Sequence, residues 1–69
     1  ELIEAELAKV KDTLAAIDFA IQRELDSILF YHEIKKLVPA REHGVIEDVI
    51  DEERKHFKGL SNLRTRFAK

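Results

Sequence analysis

Apolar residues recur along most of the chain in alternating steps of three and four, the spacing that places them on one face of an α-helix. We refer to these two series, including the polar residues that stand in them, as the first and second stripe. The first stripe is Ile3, Leu7, Val10, Leu14, Ile17, Ile21, Glu24, Ile28, Tyr31 and Val38, and the second is Ile46, Val49, Glu53, His56, Leu60, Leu63 and Phe67. Pro39 and Gly44 punctuate the stretch between the stripes. The pattern predicts a helix over about residues 2–38, a connection over about 38–44 and a second helix over about 41–67.

Three ionisable residues stand where the stripes require apolar ones. Glu24 interrupts the first helix, and Glu53 and His56 interrupt the second. If the chain turns near Ala40, Glu24 lies sixteen residues before the turn and His56 sixteen after it. Antiparallel packing would therefore set all three side chains at one level, with Glu53 about one helical turn from His56.

Two helices that fold on each other have one internal seam, so the apolar residues beside that seam stay uncovered. These flanking residues are Leu25, Leu29, Ile34, Ile50 and Phe57. Two identical chains related by a twofold axis would cover them most simply, in a four-helix bundle. The predicted fold is thus all-α, with residues 1–69 forming a single helical hairpin that dimerises, and further homo-oligomers are open to it.

The composition supports a small protein that needs a partner or a metal. A chain of 69 residues with 45% hydrophobic content has a thin core. The 12 basic and 14 acidic residues give a net charge of −2 without blocks of one sign, which argues against nucleic-acid binding and electrostatic membrane attachment. No apolar run approaches the roughly 20 residues of a membrane span. We therefore expect a soluble protein in a cytoplasmic setting.

The chain has no cysteine, so a metal would have to be held by carboxylates and imidazole. Glu and His three residues apart on a helix point the same way and can share one metal. Di-iron carboxylate bundles combine one Glu from each of two helices with Glu-x-x-His from each of the other two. This chain supplies half of that set, and two copies would supply four carboxylates and two imidazoles. Iron is the expected metal, with manganese or zinc as substitutes.

The stretches RELDSILFY and DEERKH resemble the ferritin-like and rubrerythrin-like superfamily, in which a Glu is followed seven residues later by Tyr, with Glu-x-x-His on the next helix. The matching residues are Glu24, Tyr31, Glu53 and His56. A chain with only two helices looks most like the encapsulated ferritins, and the likeness covers about residues 14–63. It implies ferroxidase activity toward ferrous iron with dioxygen or peroxide, for iron storage or detoxification, with storage taking place inside an encapsulin shell.

This reading gives each site residue a role and leaves alternatives open. Glu53 would bridge two ions, Glu24 and His56 would be terminal ligands, and Tyr31 would be a hydrogen-bond donor or redox-active neighbour, or simply a core residue. A rubrerythrin-like peroxidase and a non-catalytic dimerisation module stapled by metal are the rival functions. The rival packing is a shifted seam that turns the three polar residues toward solvent. Its core would consist of Leu25, Ile28, Ile50 and Phe57.

Overall fold

The computed structural model describes the backbone of residues 2–68 and the side chains of residues 4–68. Two helices account for nearly all of it: α1 spans Leu2–Leu37 and α2 spans His43–Ala68. A single 3₁₀ turn, Ala40–Glu42, lies between them. No strand occurs in the described backbone, so the all-α prediction with two helices is confirmed.

The reversal of the chain is built around Pro39. Its backbone angles of φ −59° and ψ 152° are extended, and the residue before a proline is disfavoured in a helix, so α1 ends at Leu37. The Glu42 amide donates a hydrogen bond of 2.9 Å to the Pro39 carbonyl. The His43 imidazole lies 3.1 Å from the Val38 carbonyl oxygen. These contacts close a short connection and send α2 back along α1.

The two helices differ in length, which leaves part of α1 without a neighbour. At 1.5 Å per residue, α1 is about 54 Å long and α2 about 39 Å. The molecule measures 59 × 16 × 11 Å along its principal axes. On the overhanging end of α1, Leu7 and Val10 are 55% and 37% exposed. Neither helix, over the described residues, is apolar enough along its length to cross a membrane.

The seam between the helices follows the predicted stripe closely on α1. Ile17 and Ile50 are the two buried apolar side chains among those described, at 6% and 2% exposure. The half-buried stripe members are Leu14, Ile21, Glu24, Ile28 and Tyr31 of α1, Val38 directly after α1, and Ile46, Val49, Glu53, Leu60 and Leu63 of α2. Glu24 and Glu53 therefore do lie in the seam, as the stripe predicted.

The prediction that His56 is buried in the seam was wrong for the single hairpin, because its side chain is 57% exposed. The exposure of Phe67, at 40%, also departs from the predicted stripe. Ile50 and Phe57 occupy the inner face of α2 instead. At 100° per residue, His56 points about 100° away from Phe57, toward the edge of that face. The shifted-seam alternative thus holds for part of α2, but Leu25, at 41% exposure, is outside the core.

Candidate metal centre

One group of potential metal ligands forms at mid-length of the hairpin, from Glu24 on α1 and from Glu53 and His56 on α2. One ligand atom from each residue lies within 4.8 Å of the others. The Nδ1 atom of His56 is 3.9 Å from Glu24 Oε2 and 4.0 Å from Glu53 Oε1. The three residues singled out in the sequence therefore meet across the seam, and we call them the Glu–Glu–His cluster.

Each member of the cluster owes its place to simple helix geometry. Glu53 and His56 are three residues apart, so they are neighbours on the surface of α2. Glu24 reaches them because the chain reverses around Pro39 and brings residues at similar distances from the turn side by side. No loop contributes to the cluster, so its geometry depends on how the two helices are aligned.

The two carboxylates are partly removed from water. The Glu24 and Glu53 side chains are 22% and 20% exposed. Glu24 Oε2 is buried and has no hydrogen-bond partner among the described residues. A buried polar atom without a partner loses its hydration without compensation, which destabilises the fold. A cation bound at this oxygen would supply the missing interaction.

The electrostatics of the cluster favour a positive charge there. Hydrogen bonding to Glu53, burial and the negative charge of Glu53 all raise the pKa of Glu24, while His56 lowers it. Two neighbouring carboxylates repel each other, so the form in which both are ionised is disfavoured. A divalent cation bound between them would offset that repulsion.

The donor set is suited to a first-row divalent metal. Two carboxylates and one imidazole form a mixed oxygen and nitrogen shell, which iron, manganese and zinc all accept. Three protein ligands also leave coordination positions open, and the exposure of His56 shows that the cluster is open on one side. The residues present fit a metal, and their chemistry alone does not distinguish iron from the other two.

Tyr31, the remaining site residue that the sequence predicted, and His32 beside it lie outside the cluster. Tyr31 is half-buried and its ring meets that of Phe30 edge to face at 5.6 Å. It lies seven residues from Glu24, or about 10.5 Å along the helix, so its role in catalysis stays a prediction. His32 borders a separate cleft of about 210 Å³ between the helices.

Sequence reasoning missed two ion pairs that connect α1 to α2 on either side of the cluster. Arg64 pairs with Asp18, and Lys35 pairs with Glu47. In both pairs the opposite charges stand at similar distances from the turn, five and seven residues from Ala40 for Lys35 and Glu47. That matched spacing is the signal that would have identified them.

Comparison of the chain with models of protein families, with curated proteins and with solved structures finds no significant match. The likeness to the ferritin-like superfamily accordingly rests on the residues quoted above.

Proposed function

We propose that this protein is a ferritin-like ferroxidase, which binds ferrous iron at a di-iron centre shared between two chains. The observation that carries the proposal is the Glu–Glu–His cluster, with its unpartnered Glu24 oxygen and its ligand atoms within 4.8 Å of one another. Two carboxylates at one level of a largely apolar seam, Glu24 and Glu53, are costly to a fold unless they bind a cation.

A second copy of the chain would complete the centre. One hairpin offers two carboxylates and one imidazole, which is half of the set used by di-iron carboxylate bundles. His56 and Val45 share one side of α2, since a separation of eleven residues differs by about 20° from whole turns. Val45 is 64% exposed and His56 57% exposed, so this side is largely uncovered. A twofold-related copy docking there would cover Val45 and place two clusters face to face.

The residues have distinct roles in this proposal. Glu53 would bridge two ions, while Glu24 and His56 would each bind one. Carboxylates are hard anionic donors, so they stabilise ferric over ferrous iron and favour oxidation. The chemistry at such a centre is one-electron oxidation of each ferrous ion, with two electrons and two protons passing to dioxygen to give hydrogen peroxide, or to hydrogen peroxide to give water.

Ferrous oxidation by variant proteins tests the proposal directly. Metal-free protein is loaded anaerobically with ferrous iron, mixed with dioxygen or with peroxide, and followed by the absorbance of the ferric product. Glu53→Gln and His56→Ala should fall to the rate of protein-free solution while keeping their helical circular dichroism. Asp48→Asn is the matched control, because this exposed carboxylate lies on α2 about 140° around the helix from Glu53. Wild-type rates in both cluster variants would overturn the proposal, and a marked preference for peroxide would favour a rubrerythrin-like peroxidase.

A non-catalytic module stapled by metal is the second candidate, and the thin core favours it. Ile17 and Ile50 are the two apolar side chains that the hairpin buries among those described, so a metal shared between chains would add needed stability. Tight binding of zinc by the wild-type protein, with no acceleration of ferrous oxidation, would support this candidate instead.

The resemblance to encapsulated ferritins extends the proposal to storage of the ferric product in a cytoplasmic encapsulin compartment. Co-expression with an encapsulin shell tests this extension. We expect the chain to be recovered inside assembled shells together with iron, and its exclusion from the shells would leave iron detoxification as its task.

A further inference from the structure

Two ion pairs bracket the Glu–Glu–His cluster along the hairpin. The Arg64 guanidinium donates from Nε to Asp18 Oδ1 and from Nη2 to Asp18 Oδ2, the second at 3.3 Å. Lys35 Nζ donates to Glu47 Oε1 at 2.5 Å. Each pair joins α1 to α2. The neighbouring cations hold the pKa values of Asp18 and Glu47 below their usual range, so both carboxylates are charged at neutral pH.

The cluster tolerates little sliding of one helix along the other. His56 Nδ1 lies 3.9 Å from Glu24 Oε2 and 4.0 Å from Glu53 Oε1. The Glu53–His56 spacing is internal to α2 and survives any slip. The distance to Glu24 does not, because a slip by one helical turn is about 5.4 Å. Binding of one metal by both helices therefore requires a defined register.

The apolar seam is a weak determinant of that register. Ile17 and Ile50 are the two buried apolar side chains among those described, and both are aliphatic. Aliphatic side chains of similar size substitute for one another with small losses, so neighbouring registers of such a seam have similar packing energies. A charged side chain, in contrast, reaches its oppositely charged partner in one register of the two helices only. Asp18 lies about 9 Å before Glu24 along α1, and Lys35 about 16 Å after it.

We propose that the Asp18–Arg64 and Lys35–Glu47 pairs are positioning pairs, which hold α1 and α2 in the register that places Glu24 beside Glu53 and His56. This inference rests on the proposed function, since it concerns the geometry of the same metal site. One pair on each side of the cluster restricts both sliding and splaying of the helices. Their effect is on metal binding more than on folding, because exposed ion pairs contribute little to stability.

Cobalt(II) is a suitable probe, because its visible absorption reports both affinity and coordination geometry. Arg64→Met and Lys35→Met are titrated with cobalt(II) at a temperature where circular dichroism shows full helicity. Removing a cation near a metal site should tighten cobalt binding by simple electrostatics. We expect the opposite, with affinity about two- to fivefold weaker for each variant and about four- to twenty-five-fold weaker for the double variant, and with an altered spectrum at saturation.

Lys55→Met is the matched control. Lys55 is also on α2 and pairs with Glu52 at 3.1 Å within the same helix, so its loss removes one positive charge without touching an interhelical contact. Cobalt should bind this variant at least as tightly as it binds the wild type. The exchanged pair Asp18→Arg with Arg64→Asp should restore the cobalt affinity and the spectrum of the wild type. This variant tests the positioning role even if Arg64→Met alone loses helicity.

The outcomes separate this inference from the proposed function. Unchanged cobalt affinity and spectrum in the helical double variant would overturn the positioning role and leave the metal site intact. Failure of the exchanged pair to restore binding would overturn it as well. A wild-type protein that binds no cobalt would instead refute the metal site itself.

Discussion

At the scale of single residues, Glu24 is the least comfortable side chain in the hairpin. Its Oε2 atom is buried without a partner, and its pKa is raised by hydrogen bonding to Glu53, by burial and by the charge of Glu53. An apolar residue would satisfy the same position in a purely structural seam. A carboxylate there is understandable when binding of a cation compensates for its burial.

Glu24→Gln should therefore raise the melting temperature of the metal-free protein at neutral pH. The amide keeps the size of the side chain and removes the repulsion from Glu53, a gain of about 0.5 kcal/mol or about 2–4 °C for a domain of this size. Thermal unfolding by circular dichroism with a chelator measures it. Asp12→Asn, at an exposed site on α1, is the control and should change little. A lower melting temperature for Glu24→Gln would show that Glu24 stabilises the hairpin without metal.

At the scale of the helices, α1 and α2 are held differently. The long α1 contains no glycine or proline, whereas α2 carries Gly44 near its start and Gly59 in its interior. Exposed charges also pair along the helices at i and i+3, as Glu33 does with Lys36 and Asp51 with Arg54. Such pairs add a few tenths of a kcal/mol each, so the fold depends mainly on contacts between α1 and α2.

Gly59→Ala should stabilise the metal-free protein by up to about 1 kcal/mol, because alanine restricts the unfolded chain and favours helix. A Cβ atom at Gly59 would meet nothing within 4 Å, and no described residue has a positive φ. Urea unfolding measures the free energy. Gly44→Ala, in the first turn of α2, is the comparison and should gain less. A loss of stability at Gly59 would show that a neighbour absent from the single hairpin packs against this position.

Acid should weaken the contact between the helices. Asp18 and Glu47 have pKa values lowered by Arg64 and Lys35. A carboxyl group whose pKa is lower in the folded than in the unfolded state stabilises the fold at pH values above its unfolded-state pKa. This stabilisation is lost as the pH falls through the folded-state pKa. The ordinary values are 3.8 and 4.5, so the loss should begin below about pH 4.5.

The measurement is the melting temperature of metal-free protein between pH 3 and pH 7. The double variant Asp18→Asn with Glu47→Gln should show a flatter acid limb than the wild type, since it has no such carboxyls to protonate. The raised pKa of Glu24 has the opposite effect on stability. The stabilising contribution of Glu24 is present at low pH and is lost as the pH rises through its folded-state pKa. The difference between the two acid limbs should be small, because exposed ion pairs contribute little to stability. A steeper acid limb in the double variant than in the wild type would contradict the assignment of these pairs.

At the scale of the whole molecule, the hairpin is long, narrow and incompletely covered. It is 59 Å long and 11 Å across its thinnest direction. Large apolar side chains remain exposed on α1, among them Phe19 at 64%, Leu29 at 63% and Phe30 at 59%. Small domains with thin cores commonly depend on association or metal for stability. The proposed dimer would cover the open side of the cluster and the exposed Val45 on the same side of α2.

Metal binding and association should be coupled, because each ion of the proposed centre is bound by both chains. A metal that binds the dimer alone stabilises it by RT ln(1 + [L]/Kd), or about 2.7 kcal/mol at a hundredfold excess over Kd. Anaerobic ferrous iron should shift the dissociation midpoint to lower protein concentration, with about one iron per chain. Sedimentation and elemental analysis measure these quantities.

Glu24→Ala tests the coupling, because Glu24 lies on the other helix from Glu53 and His56. Its loss should weaken both iron binding and the iron-dependent increase in mass. An exposed carboxylate on the same helix, changed in Asp12→Ala, should leave both unchanged. If Glu24→Ala retains the wild-type stoichiometry and mass change, the shared centre is wrong.

The sequence by itself determined the elements and the residues that meet. The two stripes predicted two helices, because apolar residues spaced at the 3.6-residue period of an α-helix lie on one face of it. Pro39 determined where α1 stops, and equal distances from the turn predicted that Glu24 would lie beside Glu53 and His56. These features follow from local geometry, which neighbouring residues along the chain largely specify.

Tertiary structure decided which way each side chain faces. His56 and Phe57 are adjacent, and periodicity placed His56 inside, yet Phe57 is half-buried and His56 is 57% exposed. A rotation of α2 by a fraction of a turn exchanges such neighbours, and only the packing of α2 against α1 sets that rotation. The interhelical pairing of Asp18 with Arg64 likewise depends on register, because residues 46 positions apart meet only after the helices have aligned.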